Sequence, residues 1–213
     1  MSTVVRFAEV SKTFRMNRVL EDVNLDVAEG ERLAISGPNG SGKSVLLRLM
    51  CRLLLPDSGT VSIDSRYQAP KRSFPQEFGI LIDRPGFQSL RTGLENLQDL
   101  AGIRRKIGVE RIKQAMDEVG LDPTLKQRVG QYSLGMKQKL ALVQATMEQQ
   151  MVLLLDEPFN ALDETSVGIV RSLLLRLNAE GRTIVFCSHN AADVEELATR
   201  RLVLRDRQLQ PAG

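Results

Sequence analysis

The 213-residue sequence has no tryptophan, two tyrosines, two cysteines and a single histidine. Cys51 and Cys187 both stand in apolar surroundings and are expected to be reduced core residues; with one histidine there is no zinc set. Long apolar runs are also missing. Nothing approaches the ~20 residues needed to span a bilayer: Met151–Leu155 is short, and Arg48 and Arg52 break the run that follows the first glycine-rich segment. The N-terminus carries no secretory pattern. These absences predict a cytosolic chain that would work at a membrane only through a partner. Charge of one sign is scarce as well, with 29 basic against 26 acidic residues and a net charge of +3. Only Arg104-Arg105-Lys106 clusters, and it reads as a solvated helix face, with nucleic-acid contact the minority option. What remains, 42% hydrophobic and 26% charged, is ordinary globular composition with enough chain for one sizeable core and a smaller lobe.

Against that background one octet stands out. Gly37-Pro38-Asn39-Gly40-Ser41-Gly42-Lys43-Ser44 fits the phosphate-loop pattern G-x-x-x-x-G-K-[ST] without a mismatch, and Val45 follows it. A chance match in a chain of this length is on the order of 1%, before its context is counted. Arg32–Ser36 reads as a strand entering the loop and Ser44–Met50 as a helix leaving it. That order aims backbone N–H groups and the positive end of a helix at one small volume. Glycines let the backbone close around phosphates, Lys43 reaches the β- and γ-phosphates, and the Ser44 hydroxyl is placed for Mg²⁺.

Along the chain, Val4–Val10 and Val23–Val27 alternate as strands, and Gly59–Ile63 follows a Pro56–Gly59 turn. Phe78–Ile82 is another short apolar strand. From Arg91 to about Gln149 the apolar residues recur at helical spacing: Leu94, Leu97, Leu100 and Ala101, then Ile112, Ala115, Met116 and Val119. Strand and helix then alternate again, with continuous apolar runs at Met151–Leu155 and Thr183–Cys187 flanking a helix around Ser166–Asn178. The pattern predicts an α/β P-loop nucleotide fold in one domain. Residues 1–83 and 150–213 form a mixed-sheet core with an N-terminal antiparallel β lobe, and about 84–149 form an inserted helical lobe.

Met151–Leu155 ends in Asp156-Glu157, two carboxylates delivered where α/β sheets place ligands. An Asp there can hold Mg²⁺ and its water shell. The adjacent Glu can deprotonate a water for in-line attack on a γ-phosphate. Together with Tyr132–Gln138, Leu155–Asp163 and Ser188-His189 in this order, these residues resemble the ABC ATPase domain from Phe14 to His189. Arg84-Pro85-Gly86-Phe87 and Thr92–Leu97 resemble the branch serving bacterial peptide-antibiotic and multidrug export.

The resemblance implies ATP and Mg²⁺ as cofactors and a set of roles. Phe14 matches the aromatic that stacks on adenine, a core Phe being the alternative. Asn39, Gly40, Ser41, Gly42, Lys43, Ser44 and Val45 match the nucleotide-binding loop. Ser133 and Gly135 match the signature segment that meets ATP held by a second subunit; the alternative is an ordinary capped helix start. Asp163 matches the residue coupling the two sites, and His189 the histidine contacting the γ-phosphate, so Glu157, His189 and Lys43 form the catalytic set. Ser44, Asp156 and Asp83 are the implied metal contacts. Asp83 stands where the family has Gln, and Leu134 and Met136 stand where it most often has Gly and Gln. Asp83 is expected to remain a coupling residue, or else to cap the segment before Pro85. The implied partners are an integral membrane permease, met through Phe87 and Leu90, and a second ATPase subunit, identical or not; no nucleic acid is expected. The implied place is the cytoplasmic face of the membrane. The implied function is an ATP-hydrolysing export motor, with a nucleic-acid or ribosome ATPase and a nucleotide-gated regulator as rivals.

Overall fold

The computed structural model describes residues 2–68, 73–83 and 86–212. Two long strands open the chain, β1 (Thr3–Phe14) and β2 (Asn17–Ala28), joined by a tight turn at Arg15, which has φ 55°. Their alternation is what a sheet with one buried face requires: Leu20, Val23, Leu25 and Val27 are buried while their neighbours reach solvent. With β4 (Ser58–Ile63) they form an antiparallel sheet in the order β2-β1-β4. β4 starts at Ser58, so the expected Pro56–Gly59 turn is shorter than its sequence suggested.

A second sheet has the order β5-β6-β7-β3-β8-β9, using β3 (Arg32–Ser36), β5 (Phe78–Leu81), β6 (Val152–Asp156), β7 (Thr183–Cys187), β8 (Arg200–Arg205) and β9 (Gln208–Pro211). All neighbours are parallel except β8 and β9. Successive side chains of its central strands feed two cores, as pleating demands. Ala34, Leu153, Leu155, Ile184 and Phe186 join one cluster; Leu33, Ile35, Val152, Leu154, Val185 and Cys187 join the other. The second cluster also takes in α1 (Lys43–Met50) and the antiparallel sheet. The first takes in α2 (Gly93–Arg104), α3 (Val109–Glu118), α4 (Leu134–Thr146) and α5 (Glu164–Ala179). Both cysteines are free and buried, and burial pushes each thiol up.

Between β5 and β6 the chain is helical, as its periodicity predicted. A capping box starts α2: Thr92 Oγ1 accepts from Glu95 N, and Glu95 Oε2 accepts from Thr92 N at 2.7 Å. Ile112, Ala115 and Met116 form the buried stripe of α3, and Val170, Leu173, Leu174 and Leu177 that of α5. α4 lies against β5 at Gly79, where an added Cβ would stand 1.8 Å from the Ala145 carbonyl oxygen; only glycine permits that approach. The basic triplet ends α2 and is exposed, as a solvated face requires, with two of its members paired to acids. Arg104 pairs with Glu148 at 2.9 Å and Lys106 with Glu77 at 2.7 Å. α6 (Ala191–Leu197), β8 and β9 have no counterpart among the elements expected from the sequence.

Candidate functional site

Parallel pairing sets the site. β3, β5, β6 and β7 run the same way, so the segments that leave their C-terminal ends meet along one edge. β3 delivers the glycine-rich loop, β6 Asp156 and Glu157, β7 Ser188 and His189, and β5 Asp83. A cavity of about 910 Å³ opens there, lined by Asn39, Gly40, Gly42, Lys43, Ser44, Val45, Asp83, Asp156 and Glu157 among others. Lys43, Ser44, Asp83, Asp156 and Glu157, distant in sequence, thus reach one volume through strand order, while Ser188 and His189 are not among the residues that line it.

Gly42 begins α1 at φ 109° with no side-chain cap hydrogen bond, so the first N–H groups of the helix are left for another acceptor. Lys43 is 8% exposed, and its Nζ donates to the carbonyls of Gly37 at 2.7 Å and Pro38 at 3.0 Å. Ser41 Oγ is buried without a hydrogen-bond partner among the described residues. The Ser44 hydroxyl donates to Asp156 Oδ2. Glu157 has a left-handed backbone, φ 51°, and its Oε2 stands 2.9 Å from His189 Nδ1. Its N–H donates to the Cys187 carbonyl at 3.0 Å, tying the acid to the neighbouring strand end. A cation, unspent N–H groups, an orphaned hydroxyl and two acids therefore share one edge, the requirements of phosphate binding and in-line hydrolysis.

Other residues singled out from the sequence are placed differently. Phe14, at the end of β1, is 42% exposed with Lys12 Nζ 5.5 Å from its ring centre, and it does not line the cavity. Ser133 and Gly135 lie at the start of α4 and are likewise outside the lining. Ser133 Oγ accepts from Met136 N at 3.1 Å, so the residue does cap its helix. Gly135 passes close to the Ala161 carbonyl oxygen, 2.7 Å from where a Cβ would be. Asp163 caps α5, and hydrogen bonds from Ser166 hold its carboxyl below the usual range. Asp83 lines the cavity with φ 62°, and its carboxylate pairs with Arg48 at 2.5 Å. Leu90 is 75% exposed, while Phe87 is half-buried against the helical core; Arg84 and Pro85 lie outside the described residues.

Gln138, inside the Tyr132–Gln138 segment, has a place in the site that its sequence position does not signal. Gln138 Nε2 donates to the carbonyls of Glu157 at 2.9 Å and Pro158 at 3.1 Å, and the residue lines the cavity. Lys137, Asn160 and Val19 line it too. Nothing in a linear reading pairs α4 with the turn after β6, because the contact depends on how that helix docks.

Residues 20–160 match the family described as ABC transporter. The bacitracin transport ATP-binding protein BcrA of Enterococcus faecalis is 34% identical over 200 residues, which cover 93% of this chain and 65% of that protein. The ABC transporter ATP-binding protein YdbJ of Bacillus subtilis, itself uncharacterized, is 32% identical over 97% of this chain and 68% of its own length. The chain therefore spans about two thirds of these relatives. The ATP-binding cassette MJ0796, solved as a dimer bound to ADP and Pi in a post-hydrolysis state, superposes with TM-score 0.84 and 26% identity, over 98% of this chain and 99% of that one.

Proposed function

The chain belongs to the ABC transporter family as an ATP-binding and ATP-hydrolysing subunit, and we propose that it closes on a second such subunit around ATP to drive export through a separate permease. The observation that carries this reading is the single strand edge at which Ser44–Asp156 and Glu157–His189 meet beside the uncapped start of α1. Lys43 leaves the loop carbonyls for the β- and γ-phosphate oxygens, to which the uncapped N–H groups at the start of α1 also donate. Phe14, already exposed at the end of β1, offers its ring to the adenine. Glu157 takes the proton of the attacking water, and His189, bonded to the same carboxylate, orients it toward the γ-phosphate.

Mg²⁺ suits this donor set. A hydroxyl and a carboxylate converge at Ser44 and Asp156, both oxygen donors, which leaves other positions to phosphate and water. When bound, the ion neutralises charge on the β- and γ-phosphates. Asp83 would join them only by leaving Arg48. The second half of each site comes from Ser133 and Gly135 of another subunit; in this chain neither residue lines its own cavity, and the Ser133 side chain is exposed. The helical segment from α2 to α4 forms the lobe that receives the permease, with Leu90 as an apolar contact. Among the described residues no helix is long and apolar enough to cross a membrane, so the permease would hold the subunit at the cytoplasmic face. Likeness to a bacitracin transport protein supports peptide-antibiotic export as the task.

Light scattering tests the core of this reading. ATP with Mg²⁺ should convert a monomer to a dimer, and ADP should not. A chain that stays monomeric with ATP while hydrolysing it at full rate would refute the shared site. Tagged chain should also bring down an integral membrane protein whose addition changes the ATPase rate.

A further inference from the structure

We propose that Gln138 is a positioning residue for the general base, holding the backbone of Glu157 in the conformation that aims its carboxylate; this rests on Glu157 being that base. Glu157 sits in the left-handed region at φ 51°, which costs a non-glycine residue about 1 kcal/mol and persists only where neighbours over-determine it. The neighbours are visible. Its N–H is taken by Cys187 at 3.0 Å, its carbonyl receives Asn160 N at 3.2 Å, and its carboxylate meets His189 at 2.9 Å.

Three of those restraints come from the base's own turn or the adjacent strand. Gln138 alone comes from α4, the helix that Ser133 caps. Its amide nitrogen has two hydrogens and faces two carbonyls, Glu157 at 2.9 Å and Pro158 at 3.1 Å. The amide orientation follows from chemistry, since an oxygen turned to two carbonyl oxygens would find no donor. The first carbonyl belongs to the Glu157–Pro158 peptide and the second to the peptide after it, so the pair pins two successive planes that must turn if the base is to swing. Gln138 thus fixes the peptide plane beside the base and also lines the cavity in which it works. A restraint on the base alters turnover more than nucleotide binding, because this subunit's phosphate contacts lie in the loop after β3 and at the start of α1, which Gln138 does not touch.

The test combines a kinetic split, a rescue and a double-mutant cycle. Gln138→Met keeps length and helix propensity but removes both donors, and it should lower kcat by roughly 10-fold, as expected when two hydrogen bonds of ordinary strength are lost. The KM for ATP should stay within about 2-fold on the same argument that the phosphate contacts are untouched. Gln138→Lys restores donors at similar reach and should recover most of the rate. In a Glu157→Gln background Gln138→Met should change the residual rate by less than about 2-fold, since a lost base cannot be mispositioned. A parental kcat in Gln138→Met, an equal fold-loss in both backgrounds, or a Lys variant as slow as the Met one overturns the proposal. If Gln138→Met fails to fold by circular dichroism, Gln138→Leu and Gln138→Lys carry the same comparison, and failure of all three to fold makes the residue structural and likewise overturns it. Parental turnover in Glu157→Gln alone would remove the base assignment itself, and this proposal with it. A slow Glu157→Gln beside a fast Gln138→Met would remove only the positioning role.

Discussion

Two helix starts in this chain use opposite solutions to the same physical problem. At the start of α1 no side chain caps the helix, and buried Lys43 occupies loop carbonyls. At the start of α4 the exposed Ser133 side chain takes the Met136 N–H, so the helix caps itself. The first leaves donors for a ligand at the expense of its own capping, and it sits in the cavity. The second is capped without a ligand; Ser133 and Gly135 stay outside the cavity lining, although Leu134, Lys137 and Gln138 of the same helix start line it. The contrast matches a division of labour: one end grips the nucleotide within the subunit, and the other is a finished surface ready for a neighbour's. The Ser133 hydroxyl can serve both purposes, since an oxygen accepting from Met136 N keeps its own O–H to donate.

The sharpest break comes at the α1 end, with the acid that follows β6. Glu157→Gln should keep ATP affinity and slow hydrolysis by roughly 10²–10⁴-fold, the weight of a general base. Phosphate release and nucleotide titration on the same sample measure both quantities, and a parental rate would take the base role from Glu157. Lys43→Ala should act on binding, weakening ATP by roughly 10- to 100-fold through loss of charge-assisted hydrogen bonds. Unchanged affinity in a nucleotide titration would remove the loop assignment.

How far the two ends could be read from sequence differs for the same reason. The α1 end is local: strand, glycines, Lys43 and Ser44 follow one another, and each type has a distinct physical use. Asp156 and Glu157 were legible because a buried strand ends in them. The α4 end was legible as a capped helix, which the structure bears out, while its meeting with a second ATP came only from resemblance. What escaped depends on docking. The Glu157–Cys187 backbone bond, the Gln138 tie and the Arg48–Asp83 pair each join residues far apart in the chain. β8 escaped because its six residues are half arginine, with only Leu204 fully buried, and β9 because an antiparallel edge strand needs little apolar pattern.

At the α4 end, capping and anion binding can be separated. Ser133→Asp retains a strong cap but sets a negative charge where a γ-phosphate would arrive. Thermal stability should be unchanged while ATP-driven dimerisation weakens by roughly 10-fold or more, since like charges at contact distance repel. Ser133→Ala should do the reverse in part, losing about 1 kcal/mol of stability with the cap. Calorimetry and light scattering of the two variants compare them directly. If Ser133→Asp dimerises with ATP as the parent does, the α4 turn is a cap and nothing more.

The smallest effect decides the role of Asp83. Arg48 lies one turn beyond Ser44 on α1, and its pair with Asp83 joins that helix to the segment leading toward α2. The side chains are 35% and 58% exposed, so the pair itself contributes at most about 1 kcal/mol to stability. Its electrostatic effect on the cavity is the larger matter. With Arg48 present the Asp83 charge is compensated; in Arg48→Met a bare carboxylate faces the same volume as the ATP phosphates. Nucleotide binding without metal should then weaken by roughly 3-fold at low ionic strength, recover in the Arg48→Met, Asp83→Asn double variant, and recover in added salt. A metal-holding Asp83 predicts the opposite sign with Mg²⁺ present, because freeing it from Arg48 would add a ligand and tighten binding. Titrations of both variants with and without Mg²⁺ therefore distinguish a compensated charge at the root of the helical segment from a third metal contact.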